Sequence, residues 1–125
     1  MVNYSVGDFL VRIKNAVMAG RREIVVSETK LIKAVAQVLK KEGYLDSATS
    51  KDGKLTVSLA YHKKESVLIN LKLVSKPGLR VYMTVDELSK MRGISRLVLS
   101  TPKGVMSAKE ALKNGVGGEV LVEVW

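Results

Sequence analysis

The chain has 125 residues, of which 21 are Lys or Arg and 12 are Asp or Glu, so its formal net charge is +9. Since 46% of the residues are hydrophobic, the chain is expected to fold around a core, as one domain or two very small ones. No apolar run approaches the roughly 20 residues of a membrane span, and the N-terminus lacks the pattern of a secretory signal. The absence of Cys and the single His62 exclude a disulfide scaffold, a thiolate metal site and a His-rich metal site.

The positive charge is spread over the whole chain. Residues 1–65 contain 12 basic and 7 acidic residues, and residues 66–125 contain 9 and 5, so both halves are basic. A folded basic surface attracts polyanions, of which nucleic acid is the commonest, although a soluble protein can also simply be basic. Only 5% of the residues are aromatic, which argues against a stacking platform for single strands and favours a duplex backbone or its grooves.

The first half of the chain predicts two helices and three strands. An apolar stripe at helical spacing runs from Val6 to Val17, and Gly20 ends that helix. A β-branched run at 24–26 predicts a strand, after which Ser27 is expected to cap a second helix that ends at Gly43. Two further strands form a hairpin around an Asp-Gly turn at 52–53. The apolar face of the second helix is predicted to consist of Leu31, Val35, Val38 and Leu39.

The opposite side of the second helix carries Lys30, Lys33, Gln37, Lys40 and Lys41 and no acidic residue. Most amphipathic helices have a solvated polar face of this kind. A face of four lysines is equally suited to contact phosphates. Both interpretations stay open at the level of the sequence.

The second half of the chain is dominated by strand patterns. Alternating apolar residues at 67–73 predict one strand long enough to run across two subdomains, and Pro77-Gly78 turns the chain into a strand at 79–85. A short helical turn at 86–91, a strand at 96–101, a helix capped by Ser107 with Glu110, and a closing strand at 119–125 follow. The predicted fold class is therefore α+β, with an N-terminal α-β-α-β-β domain at 1–65 and a mainly antiparallel β domain with one or two short helices at 66–125.

The strongest local candidate for polar recognition is the segment 100–104, between a strand and a helix. Its two hydroxyls and exposed amides beside Lys103 suit contacts with phosphate, ribose or base edges, and Pro102 stiffens the loop. Alternatively, Ser100 and Thr101 satisfy backbone groups at a turn. The residue chemistry alone does not separate these interpretations.

Other candidates are weaker, and catalysis is not expected. Residues 115–118 contain three glycines but precede a strand and lack the GxGxxG spacing, so they predict a close backbone approach instead of a dinucleotide site. Glu119 either accepts from a base amino group or ribose hydroxyl, or pairs with a neighbouring cation, the role that base rates favour. Trp125 either stacks on a base or, more commonly for such a position, packs on its own domain. No pair of acids is spaced for general acid–base work.

Six segments of the chain share a pattern with one known family. They are Asp8–Ala16, Ser27–Leu31, Lys40–Tyr44, Ser75–Tyr82, Ser100–Met106 and Ala108–Val120. In this order and at this chain length, they resemble the family of small-subunit ribosomal protein number eight. The chain departs from the pattern in three places. Pro102 stands where many members have Ser, the N-terminus reads Tyr4-Ser5-Val6-Gly7-Asp8 where Asp-Pro often opens the helix, and the region around His62 is shorter than in some relatives.

The resemblance implies a two-domain α+β protein that binds the central domain of small-subunit rRNA directly, acts in ribosome assembly and remains a structural constituent in the cytoplasm. In such a protein the loop at 100–104 enters an irregular, widened part of an RNA stem, and the N-terminal domain touches the backbone near the start of its second helix. Transferred to this sequence, the implied RNA-binding residues are Ser100, Thr101, Pro102, Lys103, Gly104, Tyr82, Glu119, Ser27 and Lys30.

Two alternatives to a constituent that binds rRNA remain, neither of them enzymatic. The family resemblance implies that the chain can also repress translation by binding its own operon mRNA. The chain could instead brace neighbouring small-subunit ribosomal proteins with little RNA contact of its own. We expect no cofactor, no bound metal and no membrane partner, and a monomer when the protein is free.

Overall fold

The computed structural model describes residues 5–92 and 96–125, which form four helices and three antiparallel sheets. In chain order the elements are α1 Ser5–Met18, β1 Glu23–Ser27, α2 Lys30–Lys41, β2 Leu45–Lys51, β3 Lys54–Leu59, β4 Tyr61–His62, β5 Glu65–Ser66, β6 Leu71–Leu73, β7 Tyr82–Met83, α3 Val85–Lys90, β8 Leu97–Thr101, β9 Gly104–Ser107, α4 Ala108–Lys113 and β10 Gly118–Val124. The predicted α+β class is confirmed.

The first half builds a three-stranded sheet with the order β1-β3-β2, against which both long helices pack. The turn between β2 and β3 has positive φ at Asp52 (50°) and Gly53 (75°), as a two-residue turn matched to the twist of a hairpin requires. Along β3 the burial alternates, so that Leu55, Val57 and Leu59 face the helices. The predicted hairpin and its buried face are therefore confirmed.

Two expectations for α2 are wrong. Ser27 is the last residue of β1, paired with Lys54, and the helix is capped by Thr29, whose side chain accepts a hydrogen bond of 3.1 Å from the N–H of Ile32. The buried face is Ile32, Val35, Ala36 and Leu39, so Val35 and Leu39 are buried as expected, whereas Ile32 takes the place of the exposed Leu31. Ser27 and Thr29 are both suitable cap residues, and sequence spacing alone did not separate them.

The long strand expected at 67–73 is also wrong. A small hairpin of β4 and β5 reverses the chain first, and Lys63 and Lys64 form its turn with positive φ. The chain then changes partner, because the N–H of Val67 donates to Ala60 O and the N–H of Ile69 donates to Trp125 O. Leu68, between the two, is fully buried, so that the alternation breaks and only β6 is regular strand.

The second half is organised around β10, which pairs with β6, β7 and β8, while β9 extends the sheet beyond β8. The register between β8 and β10 shifts between Val120 and Val122, which places one extra residue in β10. Because of this bulge, Leu121 and Val122 both join the core shared with the first half, whereas Val120 packs with α3 and α4.

The main core crosses the proposed boundary at residue 65. It contains side chains of α1, α2 and the first sheet together with Leu68, Leu71 and Val98 from the second half. A second, smaller cluster lies under α3 and α4. The two halves also meet at the surface, where Lys41 at the end of α2 forms an ion pair with Glu110 of α4.

The pair of Lys41 and Glu110 gives a pH-dependent contribution to stability. The hydrogen bond to Glu110, and then its negative charge, raise the pKa of the Lys41 ammonium above its usual 10.5. A lysine with a raised pKa in the folded state stabilises the fold fully below its unfolded pKa, and the contribution is lost as the pH rises through the raised value.

We expect Glu110→Gln to lower the Tm slightly at neutral pH and to have no effect at a pH above the raised pKa of Lys41. Thermal unfolding followed by circular dichroism at both pH values measures this difference. Glu65→Gln, which removes an exposed carboxylate in the β4–β5 hairpin, is the matched control and should change neither Tm. An equal decrease for Glu110→Gln at both pH values would contradict the ionic origin of the effect.

Candidate nucleic-acid interface

Three of the residues implicated by the sequence lie in one row across the second sheet. Tyr82 of β7 pairs in register with Glu119 of β10, and Glu119 pairs with Ser100 of β8. Directly opposed residues of neighbouring strands place their side chains on the same face of a sheet. The other face carries Leu99 and Val120, which pack under α3 and α4, so the row lies on the open face.

The row lines an open groove. Its walls are formed by the ends of β7, β8 and β10, the start of α3 and the turn after β8. Tyr82, Ser100, Pro102 and Glu119 all contribute to the lining, and Tyr82 is 65% exposed. The fold therefore gathers into one concave surface four residues that the sequence holds up to 37 positions apart.

Gly117 and Gly118 let the strands approach closely enough to form this groove. A Cβ at Gly117 would overlap the carbonyl oxygen of Met83, and a Cβ at Gly118 would overlap that of Ser100. Only glycine, which has no Cβ, fits at these two positions between β7 and β8. The close backbone approach predicted for the segment 115–118 is confirmed.

The turn at 100–104 gives its two hydroxyls different roles. The Thr101 hydroxyl donates to Gly104 O (2.7 Å) and accepts from the Lys103 N–H (3.2 Å), and Thr101 is buried, so it holds the turn together. Ser100 is half-buried and its hydroxyl has no hydrogen-bond partner in the described part of the chain. Thr101 therefore satisfies backbone groups at the turn, which is one of the two interpretations left open by the sequence. The Ser100 hydroxyl does not, so it is available for another polar contact.

Glu119 has a partner within the protein. Its Oε2 lies 3.2 Å from Nη1 of Arg80, and the Glu119 side chain is 20% exposed while that of Arg80 is 37% exposed. This is the pairing with a neighbouring cation that the sequence favoured. The ion pair fixes the carboxylate at the groove wall and places a guanidinium beside the groove.

Two supports of the groove were not identified from the sequence. The fully buried Ser75 hydroxyl accepts from the Val81 N–H (2.9 Å) and donates to Val81 O (3.2 Å), which ties down the loop that carries Arg80 and Tyr82. Thr84 caps α3 in a reciprocal capping box with Glu87. The Thr-x-x-Glu spacing at 84–87 is a recognisable signal for the cap, whereas no local pattern predicts a buried serine that bridges six residues.

The two N-terminal candidates lie apart from this groove. Ser27 is exposed at the end of β1, where its Oγ accepts from Lys54 Nζ (3.3 Å), and Lys30 is the exposed first residue of α2. The lysine side of α2 is exposed at all five positions, and Lys41 at its end is engaged by Glu110. Whether the free lysines contact phosphate stays a prediction.

His62 and Trp125 do not line this groove. His62 is exposed in the small β4–β5 hairpin, and residues 5–92 and 96–125 contain no group of three His, Cys, Asp or Glu side chains that could hold a metal ion. Trp125 is half-buried, and its backbone pairs with Asn70 in both directions. Among the described helices, none is both long and apolar enough to cross a membrane.

Comparison with known proteins gives one consistent result. The family model described as ribosomal protein S8 matches residues 5–125. The chain is 39% identical over 126 residues to the small ribosomal subunit protein uS8 of Nitratidesulfovibrio vulgaris strain DP4, covering 100% of both chains. It is 44% identical over 131 residues to the uS8 of Thermosynechococcus vestitus, covering 99% of this chain and 98% of the relative.

These matches extend over the whole chain and include the segments that build the groove. The resemblance noted in the sequence is confirmed. The chain belongs to the ribosomal protein S8 family.

Proposed function

We propose that this protein is a structural constituent of the small ribosomal subunit that binds the central domain of small-subunit rRNA directly and supports its assembly. Family membership supports the place in the subunit, with a cytoplasmic location and no catalytic role. The net charge of +9 supports an RNA partner. The protein would be a monomer until it joins the rRNA and its neighbouring ribosomal proteins.

The observation that carries the proposal is the row of Tyr82, Glu119 and Ser100 on the open face of the second sheet. A phenol that is 65% exposed can stack on or hydrogen-bond to an unpaired base. Beside it, the uncommitted Ser100 hydroxyl can contact a ribose or base edge. Such chemistry suits an irregular RNA stem, where bases and 2′-hydroxyls are accessible in a widened groove.

The turn at 102–104 would enter the RNA as a rigid unit. Pro102 fixes the backbone, Gly104 adopts a φ of 119°, and the Thr101 hydroxyl ties both ends of the turn. Lys103 at the exposed tip supplies charge for the phosphates. In this proposal Thr101 acts through the shape of the turn and Ser100 acts through direct contact.

The N-terminal half would supply a second contact. Ser27 and Lys30 lie at the end of β1 and the start of α2, away from the groove, and both face solvent. We therefore propose that residues 1–65 contact the RNA backbone and that residues 66–125 recognise the irregular stem. A messenger RNA of the same local shape would be bound by the same groove, so repression of the protein's own operon belongs to this proposal as a secondary role.

A binding isotherm at two salt concentrations tests the proposal. Purified protein is titrated against a central-domain rRNA stem-loop and a scrambled duplex of equal length. We expect the native stem to bind about a hundredfold more tightly, within the range of discrimination seen for specific nucleic-acid complexes. Equal binding of both RNAs with steep salt dependence would contradict site-specific recognition, and weak binding of both would favour a role in bracing neighbouring proteins.

The two hydroxyls at the β8 end should respond differently to substitution. We expect Ser100→Ala to weaken binding of the native stem by about 1–3 kcal/mol, the cost of one lost buried polar contact, without changing the Tm or the salt slope. Isotherms with native and scrambled RNA, together with thermal melts, measure this. An unchanged affinity would remove Ser100 from the interface.

We expect Thr101→Ala to lower both the Tm and the affinity, because it removes the hydroxyl that holds the turn. Thr101→Ser keeps the hydroxyl and is the matched control, so it should retain most of the affinity. If Thr101→Ala weakens binding while leaving the fold and Tm unchanged, direct contact with RNA would replace the structural role.

Lys30→Ala tests the N-terminal contact. Because a lysine that neutralises one phosphate contributes sequence-independent affinity, we expect weaker binding of native and scrambled RNA alike and a salt slope reduced by about one phosphate contact. Lys113→Ala, which removes an exposed lysine from the end of α4, is the control for loss of net charge. Equal effects of both substitutions would mean that Lys30 acts only through the overall field.

A further inference from the structure

The C-terminal end of α1 forms a second polar concavity that the proposed function does not use. Its lining residues are Arg12, Asn15, Ala16, Ala19, Arg21 and Ile24. Three of these side chains are small or apolar, and the other three supply two guanidinium groups and one carboxamide. None of the described lining residues is acidic, and neither arginine forms an ion pair within residues 5–92 and 96–125.

Local structure brings these three polar groups together. Arg12 and Asn15 are three residues apart on α1 and therefore share one helix face. Gly20, with a φ of 72°, ends α1 so that the N–H of Arg21 donates back to Ala16 O (2.8 Å). This hydrogen bond places the backbone of Arg21 against the last turn of α1. Arg21 therefore lines the same concavity as Arg12 and Asn15.

The backbone of Arg21 is held from the opposite side as well. Its carbonyl oxygen accepts a hydrogen bond of 3.2 Å from the Tyr61 hydroxyl, and the next residue, Arg22, places its guanidinium over the same Tyr61 ring at 4.7 Å. The Arg22 guanidinium is therefore directed to another surface.

The dipole of α1 explains only one of the two arginines. Its negative end favours a cation at Arg21, but Arg12 lies near the middle of the helix, where the dipole has little effect.

This concavity continues toward the N-terminal RNA contact. Arg12 also lines a second hollow that includes Ser27, so the two hollows share one guanidinium and follow the seam between α1 and β1. Asp8 is the acidic residue that lines these two hollows. It lies in the hollow that includes Ser27 and not in the one that includes Arg21. The basic character is therefore concentrated at the end of the seam that is farther from Ser27.

We propose that Arg12, Asn15 and Arg21 form a binding site for phosphate groups of an RNA backbone that continues from Ser27 along the seam of α1 and β1. Guanidinium groups bind phosphate oxygens in pairs of parallel hydrogen bonds, and the Asn15 amide adds a further donor. This inference rests on the proposed function, because it takes the RNA placed at Ser27 as its starting point. It extends the N-terminal contact from the start of α2 to the end of α1.

The test compares two double variants that each lose two positive charges. Arg12→Gln/Arg21→Gln removes the site, and Lys63→Gln/Lys64→Gln removes two exposed charges from the β4–β5 turn. For the arginine variant we expect at least about a tenfold loss of affinity for the native rRNA stem and a salt slope reduced by about two phosphate contacts. For the lysine variant we expect a change smaller than about threefold. Equal losses for both variants, or no loss for the arginine variant, would overturn the proposal.

A charge-conserving variant separates the guanidinium geometry from charge alone. Arg12→Lys/Arg21→Lys should restore the salt slope but only part of the affinity, because an ammonium cannot make the paired contact. Full recovery of affinity would overturn the assignment of a guanidinium site. Circular dichroism verifies that each variant is folded.

Failure of this inference is distinguishable from failure of the proposed function. The preference of the unmodified protein for native over scrambled stem tests the proposed function, independently of either arginine. If that preference is present and the arginine variant binds like the lysine control, only the site at the end of α1 is refuted.

Discussion

The burial of β10 is the constraint on which the rest of the structure depends. This strand pairs with β6, β7 and β8, and its bulge lets neighbouring side chains serve different cores. Val120 packs under α3 and α4, whereas Leu121 and Val122 join the core that contains α1, α2 and the first sheet. Because one strand fills both clusters, the two halves of the chain are held in contact by apolar burial, which is the dominant favourable term in folding.

The candidate interface follows from this arrangement. The same strand that buries Val120 on one face presents Glu119 on the other, between Tyr82 and Ser100. A rigid sheet thus holds side chains from three strands in a fixed row, as recognition of an irregular RNA requires. The Arg80 guanidinium and the buried Ser75 then fix the carboxylate and the loop around it. The candidate interface is therefore built on regular structure, and the turn after β8 extends it.

Much of the fold could be predicted from local patterns. The Asp-Gly hairpin, the stripe of α1 and the alternation in β3 are short-range signals, and each is confirmed. The errors arose where tertiary structure decides between local options. Ser27 and Thr29 are both good caps, but pairing of Ser27 with Lys54 commits it to the sheet. The break at Leu68 depends on a change of partner strand, which no periodicity within 67–73 reveals.

For the candidate site, the sequence and the family resemblance named the residues, and the structure shows which contacts some of them make within the protein. The residue types at 100–101 left polar recognition and turn formation open for both hydroxyls. The hydrogen bonds of Thr101 to the turn, and their absence at Ser100 within the described residues, depend on the geometry of the β8–β9 turn. The partner of Glu119 likewise depends on the register between β7 and β10, which brings residues 80 and 119 together from distant parts of the chain.

The central claim is that the open face of the second sheet binds RNA through the row from Tyr82 to Ser100. The most direct test is an NMR titration of isotopically labelled protein with the native central-domain stem-loop, followed at each backbone amide. The account predicts that the largest changes cluster at β7, the turn after β8 and the start of β10, with a second group near Ser27. Changes confined to the opposite face, around α3 and α4, would contradict it.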